Sequence, residues 1–237
     1  MELKRCDDLA VLIAIEGIDG SGKGTQATLL HSHLLAEGWR ASLLSFPRYQ
    51  ETTFGRRIGD FLNGRYGSLD VVHPLLASLL FAGDRFESRD LIEQTVATHD
   101  VVICDRYVAS NMAHQGAKVR VEERQQLIDW IEHLEHSIYK LPRADLTLFL
   151  DVAVERAQQL IAAKSRRTYT DKAADLQEAD ADYLQRVRDV YCQLALGQGW
   201  KTISCVESGA VKSMDKIAAD IVAAVATVSS YGGTSSV

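Results

Sequence analysis

The sequence has 237 residues, of which 46% are hydrophobic and 24% charged, with a formal net charge of −6 at pH 7. This composition is that of an ordinary globular protein, and the negative balance argues against a nucleic-acid-binding face, which needs an excess of lysine and arginine. No apolar run approaches membrane-spanning length, and the N-terminus lacks the apolar segment of a signal peptide. We therefore expect a cytoplasmic protein with no membrane or nucleic-acid partner.

The first predicted element is a strand that runs into a glycine-rich loop and then a helix. Residues 11–15 (VLIAI) are apolar and rich in β-branched side chains, as in a strand buried on both faces. Helical spacing of apolar residues begins at Lys23. Strand, loop and helix in this order predict a phosphate cradle of backbone N–H groups, completed by the helix N-terminus and a lysine. The predicted ATP-binding residues are Gly17, Ile18, Asp19, Gly20, Ser21, Gly22, Lys23, Gly24 and Thr25.

The loop departs from the usual phosphate-loop pattern at one position. The Ser or Thr that normally follows the lysine is Gly24, and Thr25 comes one residue later. The hydroxyl near Mg²⁺ must therefore come from Thr25 or from Ser21. In either case the predicted ligand is a nucleoside triphosphate with its Mg²⁺ ion.

Strands and helices alternate along the rest of the chain. Further strands are predicted at 41–46, 101–104, 146–150 and 201–205. Helical spacing predicts helices at 53–62, from 74, and at 91–98, 108–117, 127–138, 152–164, 183–194 and 214–228. This alternation predicts a three-layer α/β/α fold with a five-stranded parallel sheet and ligands at the strands' carboxyl ends. We expect one domain over residues 1–228 and a disordered tail at 229–237.

An acidic and a basic residue follow the third predicted strand. Asp105 and Arg106 come directly after the apolar run at 101–104. An aspartate at a strand end beside a phosphate loop can help to hold Mg²⁺, and arginine offers a fork of donors that suits a phosphate. A plain ion pair at the end of a strand is the alternative interpretation.

Five segments, taken in order, resemble the thymidylate kinase family. They are GIDGSGKGTQ (17–26), FPRY (46–49), FAGDR (81–85), DRYVASN (105–111), and a basic segment (164–172) followed by DLQEAD (175–180). Their order and spacing match from about residue 10 to residue 194. Adenylate kinases share GSGKGTQ, but they have proline in place of Asp19 and lack FPRY and DRYVASN. The resemblance implies a P-loop kinase that uses Mg-ATP to phosphorylate dTMP to dTDP, commonly as a homodimer.

The resemblance also implies roles for individual residues on the acceptor side. Phe81 would stack on thymine and Arg85 would reach its O4 edge; their i, i+4 spacing lets both face one pocket, although Phe81 could instead be core. His114 takes a position where many relatives have a tyrosine near the sugar C2′, unless it only packs against a neighbouring helix. The implied substrate-binding residues are Phe46, Tyr49, Phe81, Arg85, Arg106, Ser110, Asn111, His114 and Gln115.

Catalytic and metal-binding roles follow from the same resemblance. The implied catalytic residues are Lys23, Asp19 and Arg106, with Arg166 or Arg167 from a basic lid at about 164–174. The implied metal ligands are Asp19, Thr25, Asp105 and Glu178. No catalytic base is expected, because a phosphate acceptor with a second pKa of about 6 is already ionised. Two alternatives stay open: another nucleotide or deoxynucleoside kinase of this fold, or a nucleotide-binding module without catalysis.

Overall fold

A five-stranded parallel sheet forms the centre of the chain in the structure, a computed structural model. The structure describes residues 10–68, 71–163, 180–207 and 210–227, apart from the side chains of residues 162 and 163. The predicted lid, with Arg166 and Arg167, lies outside these residues, as do Glu178 and the predicted tail. The strands are β1 (Val11–Glu16), β2 (Ala41–Ser45), β3 (Val101–Asp105), β4 (Leu146–Asp151) and β5 (Trp200–Ser204).

The strand order is β2-β3-β1-β4-β5, and every neighbouring pair is parallel. β1 lies in the middle, and all six of its residues are buried, as its β-branched apolar sequence predicts. In register, Ile13 lies opposite Ile103 of β3 and Leu146 of β4. The predicted five-stranded parallel sheet is therefore confirmed.

Helices flank this sheet and connect its strands. They are α1 (Lys23–Ala36), α2 (Thr53–Leu62), α3 (Pro74–Glu87), α4 (Arg89–Thr98), α5 (Val108–Gly116), α6 (Val121–Glu132), α7 (Val154–Ala163), α8 (Ala181–Leu194) and α9 (Met214–Ala226). In the described part of the chain, no helix is both long and apolar enough to cross a membrane.

The structure differs from the sequence-based prediction after α6. The chain continues as a π-helical segment, His133–Ile138, instead of an α-helix. Its wider turn shifts the side-chain register. Ile138, the last residue of the segment, is 52% exposed, whereas Glu135 is fully buried. A short hairpin, β6 (Val206–Glu207) and β7 (Ala210–Val211), was also not predicted, because two-residue strands carry no readable periodicity.

The carboxyl edge of the sheet brings two predicted site segments together. The glycine-rich loop follows β1, and Arg106 follows the neighbouring β3, where Ile15 lies in register with Asp105. Ligands of open parallel sheets bind at this edge. The fold therefore places the candidate site between the loop after β1 and the start of α5.

Candidate active site

The loop between β1 and α1 depends on glycine at two positions. Gly17 and Gly20 have φ values of 148° and 82°, which side-chain-bearing residues rarely adopt. A Cβ on Gly20 would also lie 2.3 Å from the carbonyl oxygen of Ala157 in α7. The loop can therefore pack this closely only without a side chain, and it leads directly into the N-terminus of α1.

Lys23 lies buried in the first turn of α1. Its Nζ donates a hydrogen bond to the carbonyl oxygen of Ile18 at 2.7 Å, so the side chain folds back over the loop. Burial and the nearby Arg106 together lower the pKa of Lys23 to about 7, against the opposing effect of Asp19, Asp105 and Glu16. A negatively charged ligand would reverse this shift.

Gly24 and Asp105 meet between α1 and the end of β3. A Cβ on Gly24 would lie 3.0 Å from Oδ2 of Asp105, so the glycine makes room for this carboxylate. Thr25 is exposed, whereas the hydroxyl of Ser21 is buried without a partner among the described residues. Of the two candidate hydroxyls, that of Thr25 is therefore the accessible one.

The donor set at this point suits a magnesium ion that arrives with phosphates. Among the described residues, no three His, Cys, Asp or Glu side chains converge on one point. Mg²⁺ commonly takes one or two carboxylates from the protein and completes its shell with water and phosphate oxygens. Asp105 and the accessible Thr25 hydroxyl fit that pattern at the start of α1.

Arg106 has a left-handed backbone conformation, with φ of 66°. Its backbone N–H donates to the carbonyl of Ile15 at 3.1 Å, which ties it to the end of β1. Its guanidinium forms an ion pair with Asp19 and donates to Oγ of Ser110 at 3.0 Å. Burial alone would lower the pKa of Arg106, but Asp19 raises it above the ordinary value, so the group stays charged. The strained backbone and these side-chain contacts hold the guanidinium in one orientation, in which it is suited to bind an anion.

One cavity brings the predicted substrate-binding residues together. It encloses about 450 Å³ of space, including its open mouth, and its polar groups include two arginines and two amides. Its lining residues are Phe46, Tyr49, Phe81, Arg85, Arg106, Ser110, Asn111, His114 and Gln115, together with Asp19, Pro47 and Leu62. A concave site with aromatic side chains and a few oriented polar groups is typical of small-molecule binding.

Arg85 is buried on the cavity wall and forms a bidentate ion pair with Glu135. Its NH2 donates to Oε1 of Glu135 at 2.6 Å, and its Nε donates to Oε2. Although burial lowers the pKa of Arg85, the carboxylate raises it above its ordinary value. Arg85 therefore brings a fixed positive charge to a cavity that also contains the ring of Phe81.

His114 lines the cavity and also packs against α8. Tyr183 of α8 donates its hydroxyl hydrogen to the carbonyl oxygen of His114 at 3.1 Å, and its hydroxyl oxygen lies 3.0 Å from Nδ1. This pairing places the ring hydrogen on Nδ1 and leaves Nε2 as an acceptor, 3.4 Å from Arg106. Burial, together with the nearby Arg106, lowers the pKa of His114 to about 3, so the imidazole is neutral.

Glu16, at the end of β1, was not predicted as part of the site. Its buried carboxylate accepts hydrogen bonds from the backbone N–H of Tyr107 at 2.7 Å, the hydroxyl of Ser110 at 2.6 Å and the hydroxyl of Tyr191 at 2.8 Å. Burial raises the pKa of Glu16, and these donors oppose the change. An acidic residue that ends an otherwise apolar strand was the available signal. Glu135 lies four residues after Ile131 and seven after Ile128, so a single acidic residue on the apolar face of the predicted helix was the available signal.

Comparisons with known proteins show which family the chain resembles. The family model described as "Thymidylate kinase" matches residues 15–217. A thymidylate kinase of Mycobacterium tuberculosis (strain ATCC 25618 / H37Rv) is 35% identical over 190 residues, which cover 80% of this chain and 87% of that protein. A thymidylate kinase of Homo sapiens is 34% identical over 147 residues, 62% of this chain and 63% of that protein. The fold is also that of a solved thymidylate kinase structure from Candida albicans, with a TM-score of 0.68, 24% identity and 92% of each chain covered.

Proposed function

The chain belongs to the thymidylate kinase family, and we propose that the cavity described above is where it transfers the γ-phosphoryl group of ATP to dTMP, giving ADP and dTDP. The observation that carries this proposal is the single cavity that contains Phe81, Arg85 and Arg106 and that borders the phosphate loop through Asp19. An aromatic ring, a donor for a carbonyl oxygen and a donor for a phosphate are the groups that a thymine nucleotide requires.

On the donor side, the loop Gly17–Thr25 would cradle the phosphates of ATP. Its backbone N–H groups and the N-terminus of α1 supply the positive potential. Lys23 would exchange its contact with the carbonyl of Ile18 for the β- and γ-phosphate oxygens. The phosphate charge would then raise the pKa of Lys23 from about 7 and keep the ammonium protonated.

Mg²⁺ would enter with ATP. Asp105 and Thr25 would hold it at the start of α1, and Asp19 and Glu178 would be the other protein ligands. When bound, the ion would neutralise negative charge on the phosphoryl group that is transferred. Asp19 also pairs with Arg106, and the family resemblance implies that it would lie near both the metal and the 3′-hydroxyl of the acceptor.

On the acceptor side, Arg106 and Tyr49 would hold the monophosphate. Phe46 would lie beside the nucleotide, and Phe81 would stack on thymine. Arg85 would donate to O4, while the other base contacts would come from Ser110, Asn111 and Gln115. The described groups thus divide into a phosphate end near Arg106 and a base end near Arg85.

The transfer itself needs no general base from the protein. The attacking phosphate oxygen is ionised at neutral pH because its second pKa is about 6. His114, whose pKa burial lowers to about 3, is held neutral by its surroundings and is bound to Tyr183. Lys23, Arg106 and an arginine from the lid at 164–174 would stabilise the charge of a loose transition state, once both substrates are aligned.

We further propose a single kinase domain over residues 1–228 that acts in the cytoplasm as a homodimer. This part of the proposal extends the family's usual organisation to this chain. Sedimentation of the purified full chain would test the dimer.

An acceptor panel with Mg-ATP tests the proposed reaction. The acceptors are dTMP, dUMP, the thymine ribonucleotide, dCMP, AMP and thymidine, with ADP release as the measurement. We expect dTMP to give the highest kcat/KM. A preference for thymidine would indicate a nucleoside kinase, a preference for AMP or dCMP another nucleotide kinase, and no turnover with any acceptor a non-catalytic module.

A further inference from the structure

A single buried carboxylate, that of Glu135, holds two side chains of the acceptor cavity. It pairs with Arg85 through Nε and NH2, and its Oε1 also accepts from Nδ2 of Asn111 at 3.0 Å. Glu135 is fully buried and is not one of the described residues that line the cavity. Any influence it has on a nucleotide must therefore act through Arg85 and Asn111.

The contacts of Asn111 fix which way its amide faces. Nδ2 donates to Oε1 of Glu135 and to the carbonyl oxygen of Ser78, each at 3.0 Å. The reversed amide would place its oxygen against these two acceptors, which is unfavourable. The orientation seen leaves Oδ1 buried, and no group among the described residues donates to it. A buried acceptor of this kind is costly unless a ligand N–H satisfies it.

The same carboxylate fixes the orientation of Arg85. Because Nε and NH2 bind Glu135, NH1 is the end of the guanidinium that Glu135 does not hold. Both residues line the cavity, and the described contacts leave NH1 of Arg85 as a donor and Oδ1 of Asn111 as an acceptor for a ligand. Thymine has the matching groups, an acceptor at O4 and a donor at N3–H. Cytosine has the reverse, an amino donor at position 4 and an acceptor at N3.

We propose that Glu135 is the positioning residue that sets this donor–acceptor polarity and so makes the cavity select thymine over cytosine. Without a carboxylate at this point, only the carbonyl of Ser78 opposes reversal of the Asn111 amide, and Arg85 loses its fixed orientation. The inference rests on the proposed function, because it assumes that the cavity binds the base of the acceptor.

The test compares kcat/KM for dTMP and dCMP, with Mg-ATP, in wild type and Glu135→Gln. A glutamine keeps the shape of glutamate but can turn an NH2 group toward Asn111 and Arg85. We expect the dTMP:dCMP ratio to fall by about tenfold or more, as for the loss of one charged hydrogen bond. The loss should appear mainly in KM for dTMP, with KM for ATP unchanged.

Glu132→Gln is the matched control. It is the same substitution three residues earlier, where the glutamate pairs with Arg143 at 2.5 Å and does not contact the acceptor cavity. Its dTMP:dCMP ratio should equal that of wild type. If Glu135→Gln does not fold, Glu135→Asp replaces it. Aspartate keeps the buried charge but is one methylene shorter, so it cannot reach both partners, and the ratio should fall about threefold or more.

The outcomes separate this inference from the proposed function. A Glu135 variant with a lower melting temperature and an unchanged dTMP:dCMP ratio would show that the residue is merely structural and would overturn the inference alone. A wild-type enzyme that does not prefer dTMP over dCMP would overturn both. A reduced ratio in the Glu135 variant and a wild-type ratio in Glu132→Gln would support it.

Discussion

The absence of a side chain on Gly24 makes room for the carboxylate of Asp105. A Cβ at this position would lie 3.0 Å from Oδ2, and the carboxylate would have to move by a few tenths of an ångström. Position 24, where phosphate loops usually have Ser or Thr, therefore leaves space for the last residue of the neighbouring strand β3. The glycine is thus part of the predicted metal-binding arrangement.

Gly24→Ala should raise the Mg²⁺ concentration that gives half-maximal activity. The added methyl group displaces Asp105 but favours the helix by about 0.5–1 kcal/mol, so the melting temperature should not fall. The measurement is a Mg²⁺ titration of the initial rate, with ATP binding in the absence of Mg²⁺ as the internal reference. An unchanged Mg²⁺ requirement would contradict the role given to Asp105.

Lys23→Met should keep the fold and lower kcat by at least about 10²-fold, since it removes charge that matters most in the transition state.

Lys23→Met should also change how the stability of the protein depends on pH. Burial lowers the pKa of Lys23 from 10.5 in the unfolded chain to about 7 in the folded chain. Between pH 7 and pH 10.5, the unfolded chain therefore keeps a proton on Lys23 that the folded chain has lost. The free energy of unfolding therefore rises with pH in this window in wild type, and less so in the variant. Denaturant titrations at pH 7 and pH 9 measure this difference.

ATP affinity should decrease above pH 7 because the phosphates select the protonated form of Lys23. Up to about one proton is taken up on binding, and the affinity falls by at most about tenfold per pH unit. Lys23→Arg is the reference, since a guanidinium stays charged throughout this range. Calorimetry in two buffers with different ionisation enthalpies gives the proton uptake. Equal uptake in wild type and Lys23→Arg would rule out Lys23 as the source.

Arg166→Ala or Arg167→Ala should lower kcat more than it raises KM for dTMP. An arginine that engages only when a lid closes contributes mainly in the transition state, so we expect a loss of about 10²-fold or more from one of the two. Lys172→Ala, which removes the same charge from the same segment, should have a smaller effect. If both single variants and the double variant change only KM, the segment binds substrate without contributing to catalysis.

His114→Tyr should tighten the preference for dTMP over its ribonucleotide. The neutral imidazole has Nε2 as an acceptor near Arg106, so it can bind a 2′-hydroxyl, and it is smaller than a tyrosine ring. We therefore expect wild type to prefer the deoxyribonucleotide less strictly than a tyrosine-bearing relative. The measurement is kcat/KM for both acceptors in wild type and variant. If the ratio of the two values is the same in both proteins, the role given to His114 is wrong.

The sequence was sufficient to predict a five-stranded parallel sheet, because strands such as β1 and β3 are continuous apolar runs that alternate with helices. The cavity-lining residues were proposed as one set through the resemblance of their segments to thymidylate kinases, and not from strand positions alone. Glu135 was not predicted as part of the site, although its spacing from Ile131 places it on the apolar face of the predicted helix, because its role depends on a distant partner. The bidentate pair between Arg85 and Glu135 joins residues 50 positions apart, and no local pattern encodes such a contact.

The hydrogen bond between Tyr191 and Glu16 spans 175 positions of the chain. During synthesis, the phosphate loop leaves the ribosome early, but the carboxylate that precedes it lacks this donor until α8 has been made and has docked. Burial of Glu16 at the end of β1 is unfavourable until its donors are in place. Assembly of the site is thus a late event in folding, and a nascent chain that ends before α8 cannot have the complete hydrogen-bonded frame around Ser110 and Arg106.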